Sequence, residues 1–236
     1  MAAARVGFIS ASGAQSAHFV PFRALIPKEV EIDFEGLGLP RTGRHETSRL
    51  DAVLNAAQTL VQRGCNGIVV SGAPGELQSP EMPDRLRETV KVPTTTAMRA
   101  CTAGLHALGA KRVLLMCPFD ADTTQKIIAY LGARNITAVS PSTAFGEIDE
   151  AMQLSPQEVY DRTTAAFKLA GDVDGVYFQG AVLDPLEVME RMEQDFACPV
   201  VASNPAMLWF ILDRLRLSYH LEGHGKLLRE WPAAPA

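Results

Sequence analysis

The feature that most restricts how this chain can fold is a pattern that occurs twice. Gly67-Ile68-Val69-Val70-Ser71-Gly72-Ala73-Pro74-Gly75-Glu76 is a short apolar run that breaks into small residues and a carboxylate. Gly175-Val176-Tyr177-Phe178-Gln179-Gly180-Ala181-Val182-Leu183-Asp184 follows the same order. Each predicts a buried strand that ends in a tight loop where another molecule can approach the backbone. The spacing extends beyond these two stretches: the offset is 107 from Arg5 to Arg112, 108 from Gly67 to Gly175 and 106 from Pro93 to Pro199. A nearly constant offset predicts two related α/β halves, residues 1–110 and 111–236, with the C-terminal segment packing back on the first. Each half is expected to be a doubly wound parallel sheet, with one site between the halves at the carboxyl ends of the strands.

The punctuation between the apolar runs supports that alternation. Strands are predicted over Arg5–Ser10, Val30–Phe34, Val92–Thr96, Lys111–Cys117, Asn135–Val139 and Cys198–Ser203, each bounded by turn residues or by a helical pattern. Val30–Phe34 alternates apolar with acidic residues and is expected near a sheet edge. Helices are predicted from Ser48 as N-cap to Gly64, from Pro80 to Val90, from Ala97 to Leu108, from Asp122 to Leu131, and from Pro185 to Gln194. Ser155-Pro156-Gln157-Glu158 reads as a capping box with proline at the first helical position, opening a helix to Ala170. Asn204-Pro205 is read as the cap of the helix that carries Trp209 and Phe210.

Composition narrows the partners. A chain of 236 residues that is 47% hydrophobic can bury one large core or two modest ones. A net charge of −5 without a basic run gives no footing for a phosphate backbone, so nucleic acid is not expected as a partner. Met1-Ala2-Ala3-Ala4-Arg5 lacks the pattern of a secretory leader, and no apolar run approaches the roughly 20 residues of a membrane span. A cytoplasmic location is expected, with no membrane partner. Cys65, Cys101, Cys117 and Cys198 have no metal-ligand or redox spacing. The five histidines show none either, so no metal site is expected.

The ordered set of motifs resembles the aspartate/glutamate racemase superfamily, in the branch of maleate cis-trans isomerases and arylmalonate decarboxylases. The likeness rests on Gly36-Leu37-Gly38-Leu39, Gly67 to Gly72, His106 to Val113, Pro199 to Ala206 and Gly223-His224-Gly225-Lys226-Leu227-Leu228. The resemblance implies pseudo-symmetric halves, no organic cofactor, no metal and a small carboxylate substrate. It also implies two cysteines, one from each half, flanking the reacting carbon. Aligned through the strands, those positions fall on Pro74 and Gly180. The hydroxyl-bearing pair after the first cysteine becomes Gly75 and Glu76, and the tyrosine of the second half's first loop becomes Phe119.

The thiol mechanism therefore has no carrier here, and another acid or base is sought. Glu76, at a strand mouth beside small residues, is the first candidate, with its alternative a carboxylate at a helix start or on the surface. Cys117, at a strand's carboxyl edge, is the second, although free cysteine is most often a small buried apolar residue. Hydrogen bonds to a carboxylate are expected from Ser10, Gly13, Ser71, Gly72 and Asn204, with Pro74, Gly75, Phe119, Gln179, Gly180 and Ala181 shaping the pocket. For Asn204 a cap role already explains the residue, and His224 is a candidate substrate contact or proton carrier whose alternative, closure of the C-terminal segment over the sheet, the resemblance favours. Trp209 and Phe210 are read as packing or an oligomer surface, and self-association is expected. The function expected is a cofactor-independent isomerase, racemase or decarboxylase acting on a small mono- or dicarboxylate through a carbanion or enolate. The alternatives are a carboxylate-binding sensor that has lost turnover, and a hydrolase on the same scaffold.

Overall fold

The protein is represented by a computed structural model that describes residues 2–11, 20–38, 46–140, 145, 148–180, 182–183 and 185–235. Gly13 and Ala181, both expected at the site, lie outside them. The first half runs β1 (Ala4–Ser10), α1 (Val20–Ala24), β2 (Val30–Gly36), α2 (Glu46–Gln62), β3 (Gly67–Val70), α3 (Ala73–Gln78), α4 (Met82–Thr89), β4 (Thr94–Thr96) and α5 (Ala97–Ala107). The second runs β5 (Arg112–Met116), α6 (Ala121–Gly132), β6 (Thr137–Val139), α7 (Ile148–Ala151), α8 (Pro156–Ala170), β7 (Gly175–Phe178), α9 (Met189–Phe196), β8 (Val200–Ala202), α10 (Ser203–Arg214) and α11 (Lys226–Glu230).

The two sheets repeat one topology. Their orders are β2-β1-β3-β4 and β6-β5-β7-β8, and every pairing is parallel. In each, the chain moves outward from the first strand in one direction and then in the other. The carboxyl ends of β1 and β3, and of β5 and β7, are thus switch points at which connections part and leave a crevice. β2 lies at an edge, as its alternating charge predicts; there Arg5 of β1 reaches the Asp33 carboxylate at 3.1 Å.

The halves interlock through their last helices. α5 packs against α10, and each also touches the other half's sheet: α10 meets β3 and β4, α5 meets β7 and β8. One apolar core consequently runs through both halves, from Phe8 and Val69 through Met98 and Leu105 to Leu114, Tyr177, Val201 and Trp209. A smaller cluster, including Ile9, Val53, Leu60 and Ile68, lies between α2 and the outer face of the first sheet. Trp209 and Phe210 are both buried, so they belong to the packing rather than to an oligomer surface. The Trp209 indole N–H donates to the Pro232 carbonyl at 2.8 Å, tying down the tail.

Several boundaries differ from expectation, each for a local reason. The capping box at Ser155 and Glu158 is formed by both of its hydrogen bonds. Ser48, expected as a cap, lies inside α2 instead. Asn204 lies within the first turn of α10, whose N-cap is Ala202, so it does not cap that helix. The residues up to Glu76, expected as a tight loop after β3, enter the helical turn α3 at Ala73: Gly72 takes φ 90°, open to glycine at little cost, and Pro74 supplies the φ of a first turn. The helix expected from Pro185 begins only at Met189.

Candidate functional site

The two switch points face one cavity of about 100 Å³. The first half supplies Ile9, Ser10 and Ala11 at the end of β1, Leu37 after β2, and Val70, Ser71 and Gly72 at the end of β3. Pro74 and Gly75 of α3, Arg49 and Val53 of α2, and Met82 of α4 complete that side. The second half closes it with Phe119 after β5, Ile148 of α7, and Gly180 and Val182 after β7. The lining is mainly apolar, so the few polar groups on it act in a poorly solvated setting where their interactions are strong.

Arg49 is one of those groups. It is only 5% exposed although it carries a guanidinium, and burial pulls its pKa below the usual arginine range. Ser10 is buried and Ser71 half-buried; Ser10 ends β1 and Ser71 follows β3, whose register with β1 places them side by side, with the Ser71 N–H donating to the Ile9 carbonyl at 2.9 Å. Arg49 was not among the expected site residues. Its signal is legible afterwards: it stands four positions before Val53, on the stripe that carries Val53, Ala57 and Leu60 into the core. A cation on a core-facing helical stripe is rare, and that is what marks the position.

Of the expected residues, the structure brings together Ser10, Ser71, Gly72, Pro74, Gly75, Phe119 and Gly180. It does not bring Glu76 to the cavity wall. Its carboxylate, 4% exposed, turns away between the halves, where Thr96 Oγ1 donates to Oε2 at 2.5 Å and the Tyr130 hydroxyl donates to Oε1 at 2.9 Å. Burial raises the Glu76 pKa above the carboxylate range, against the two hydrogen bonds and the more distant Arg134 and Arg99. Cys117 also stands behind the wall, with its Sγ 3.5 Å from Thr124 Oγ1, and burial pushes its thiol pKa up, away from thiolate.

The remaining candidates serve the packing of the second half. Gln179 is fully buried, its Oε1 accepting from the Tyr177 hydroxyl. Asn204 is buried in α10, and neither it nor Gln179 lines the cavity. His224 lies in the turn before α11, where the adjoining glycines Gly223 and Gly225 face Glu190, Met189 and Glu193 of α9. Gly180 has φ 126°, and a Cβ there would stand 3.1 Å from Pro118 Cδ. Any side chain at this position, a cysteine included, would be strained. Among the described residues there is no group of three or more His, Cys, Asp or Glu side chains able to hold a metal ion, and no helix long and apolar enough to cross a membrane.

Comparison with known proteins agrees with this geometry. The family model for arylmalonate decarboxylase matches residues 14–228. The chain is 26% identical to the arylmalonate decarboxylase of Bordetella bronchiseptica, over 95% of this chain and 92% of that one. It is 29% identical to the maleate isomerase of Nocardia farcinica, over 78% and 74%. Among solved structures, unliganded arylmalonate decarboxylase superposes with a TM-score of 0.82 at 24% identity, covering 96% of this chain and 99% of that one. A maleate isomerase from Pseudomonas putida S16 superposes with a TM-score of 0.81 at 18% identity, covering 97% and 99%. Those two likenesses carry the fold, two parallel four-stranded sheets with flanking helices; the sequence match carries the kinship. With most of its length matched by the family model and both sheets facing one cavity, this chain belongs to the arylmalonate decarboxylase family.

Proposed function

We propose that the protein is a cofactor-independent decarboxylase of a small malonate-type diacid with an apolar substituent on Cα, and that Arg49 holds the carboxylate that remains. The observation that carries this reading is a buried guanidinium on the wall of an otherwise largely apolar cavity at both switch points. Family membership supplies the class of chemistry; one curated relative is a decarboxylase and the other an isomerase.

The chemistry follows from charge. Breaking the bond between Cα and a carboxylate releases carbon dioxide and leaves the electron pair on Cα. That pair spreads into the second carboxyl group as an enediolate. Apolar walls destabilise the localised charge of the departing carboxylate more than the dispersed charge of the transition state. Arg49 and the hydroxyls of Ser10 and Ser71 face the charge that remains, as fixed donors in a poorly solvated site. The described wall offers hydroxyls and a guanidinium but neither thiol nor carboxylate. In this reading water returns the proton to Cα, and the weight of catalysis lies on stabilising the enediolate rather than on a dedicated acid.

The test is direct. Phenylmalonate, an alkylmalonate series and maleate are incubated with the protein, and carbon dioxide release and the NMR spectrum of the product are followed. Carbon dioxide released by the wild type and lost in Arg49→Met supports the reading; release that survives the substitution overturns it. A second reading is binding without turnover, which the absence of a proton-carrying side chain at Pro74 and Gly180 favours. Saturable binding of these acids that depends on Arg49, with no product formed, selects it.

A further inference from the structure

The strongest feature the cavity does not absorb is the buried group behind it. Glu76 belongs to α3, directly after Pro74 and Gly75, which line the cavity. Tyr130 belongs to α6, the helix that begins just after Phe119, which lines it from the other half. The hydrogen bond between them, at 2.9 Å, therefore joins the two cavity-forming loops across the pseudo-symmetry boundary. We propose that Glu76 and Tyr130 are positioning residues, a clasp that fixes the start of α3, residues 72–75, against the loop 117–120 and so sets the shape of the cavity.

Both ends of the clasp are anchored. Thr96, the N-cap of α5, donates to Glu76 while its oxygen accepts from the Arg99 N–H at 3.3 Å. The Arg134 guanidinium lies over the Tyr130 ring at 3.5 Å and donates to the Tyr130 carbonyl at 3.0 Å. On the Phe119 side, Thr124 Oγ1 of α6 donates to the Phe119 carbonyl at 3.3 Å, so a shift of α6 moves the cavity wall with it. The groups whose charge reaches Glu76 are Arg134 beyond the end of α6 and Arg99 of α5. A carboxylate buried between two helices is costly unless its oxygens are satisfied. An apolar residue would pack α3 on α6 at lower cost but would leave their relative position free to slide. Directional hydrogen bonds remove that freedom.

The clasp and a proton-carrying Glu76 give opposite results in one pair of variants. Glutamine keeps an oxygen that accepts from Tyr130 but carries no titrating proton, whereas Tyr130→Phe removes the clasp and keeps the carboxylate. Hydrogen exchange is read first, at the amides of 76–79 in the full chain without ligand. Tyr130→Phe should speed it by roughly tenfold or more, the worth of a hydrogen bond to a charged group, and Glu76→Gln should change it by less than about threefold. Unchanged exchange in Tyr130→Phe overturns the proposal. The second readout, turnover or Kd for phenylmalonate, rests on the function proposed above. Tyr130→Phe should raise KM or Kd by about tenfold with kcat changed less, and Glu76→Gln should stay near wild type. Loss of turnover in Glu76→Gln with normal exchange would overturn the clasp in favour of proton transfer. Should the wild type neither turn over nor bind the acid, the proposed function fails and the exchange data alone decide the clasp.

Discussion

The two copies of the strand-and-loop pattern share a fold and differ in use. After β3 the chain makes a helical turn whose backbone lines the cavity and whose carboxylate crosses to the other half. After β7, Gln179, which corresponds to Ser71 in the repeat, bonds to Tyr177 of its own strand, and among the described residues Gly180 and Val182 reach the cavity. Among the described residues the site is therefore lopsided: the first half supplies most of the wall together with Arg49, and the second supplies a small apolar cover. Pseudo-symmetry of the scaffold does not impose symmetry on the chemistry, because a fold repeats its backbone geometry while each loop remains free to vary.

The largest effect expected is on the charged side of that contrast. Arg49→Met should lower kcat/KM, or affinity where there is no turnover, by roughly 30-fold to 1,000-fold, the usual cost of stripping a buried charge partner. A variant that binds normally would move the ionic anchor away from the first half.

Restoring a thiol separates the halves next. Gly180→Cys should cost about 1–3 kcal/mol in urea unfolding, because it forces a side chain into φ 126° against Pro118. Pro74→Cys, at a helical first turn with no such φ, should cost under about 1 kcal/mol. Equal costs would show that the loops are equivalent after all.

A smaller effect lies in pH. The folded state raises the pKa of Glu76, so it holds that proton more tightly than the unfolded chain does. Glu76 therefore favours the folded state most below the unfolded carboxylate value, about 4.3, and that advantage is lost as pH rises from there through the folded pKa. Glu76→Gln should flatten this part of a stability-versus-pH curve; an unaltered slope would show that the carboxylate is not held as described. The smallest effect is expected at Cys117, where alanine should leave turnover within about twofold and cost about 1 kcal/mol of stability, measured by steady-state assay and thermal unfolding.

The alternation of apolar runs with helical stripes, and the near-constant offset between Arg5 and Arg112 or Gly67 and Gly175, determined the two α/β halves and the end of the sheets at which a site would lie. These are local signals: strand burial, glycine and proline punctuation, and capping at Ser155 act within a few residues. The small residues Gly72, Pro74, Gly75 and Gly180 were legible for the same reason, since a backbone open to approach is written in the residues themselves. Only the tertiary structure decided that Glu76 faces Tyr130, 54 positions away in the chain, rather than the cavity. It likewise decided that Arg49, on a helix between two strands, reaches the cavity wall. The direction in which a side chain leaves a helical turn depends on where that turn begins and what packs on it. Here the helix begins at Ala73, after Gly72, and that turn carries the Glu76 side chain toward Tyr130 rather than into the cavity.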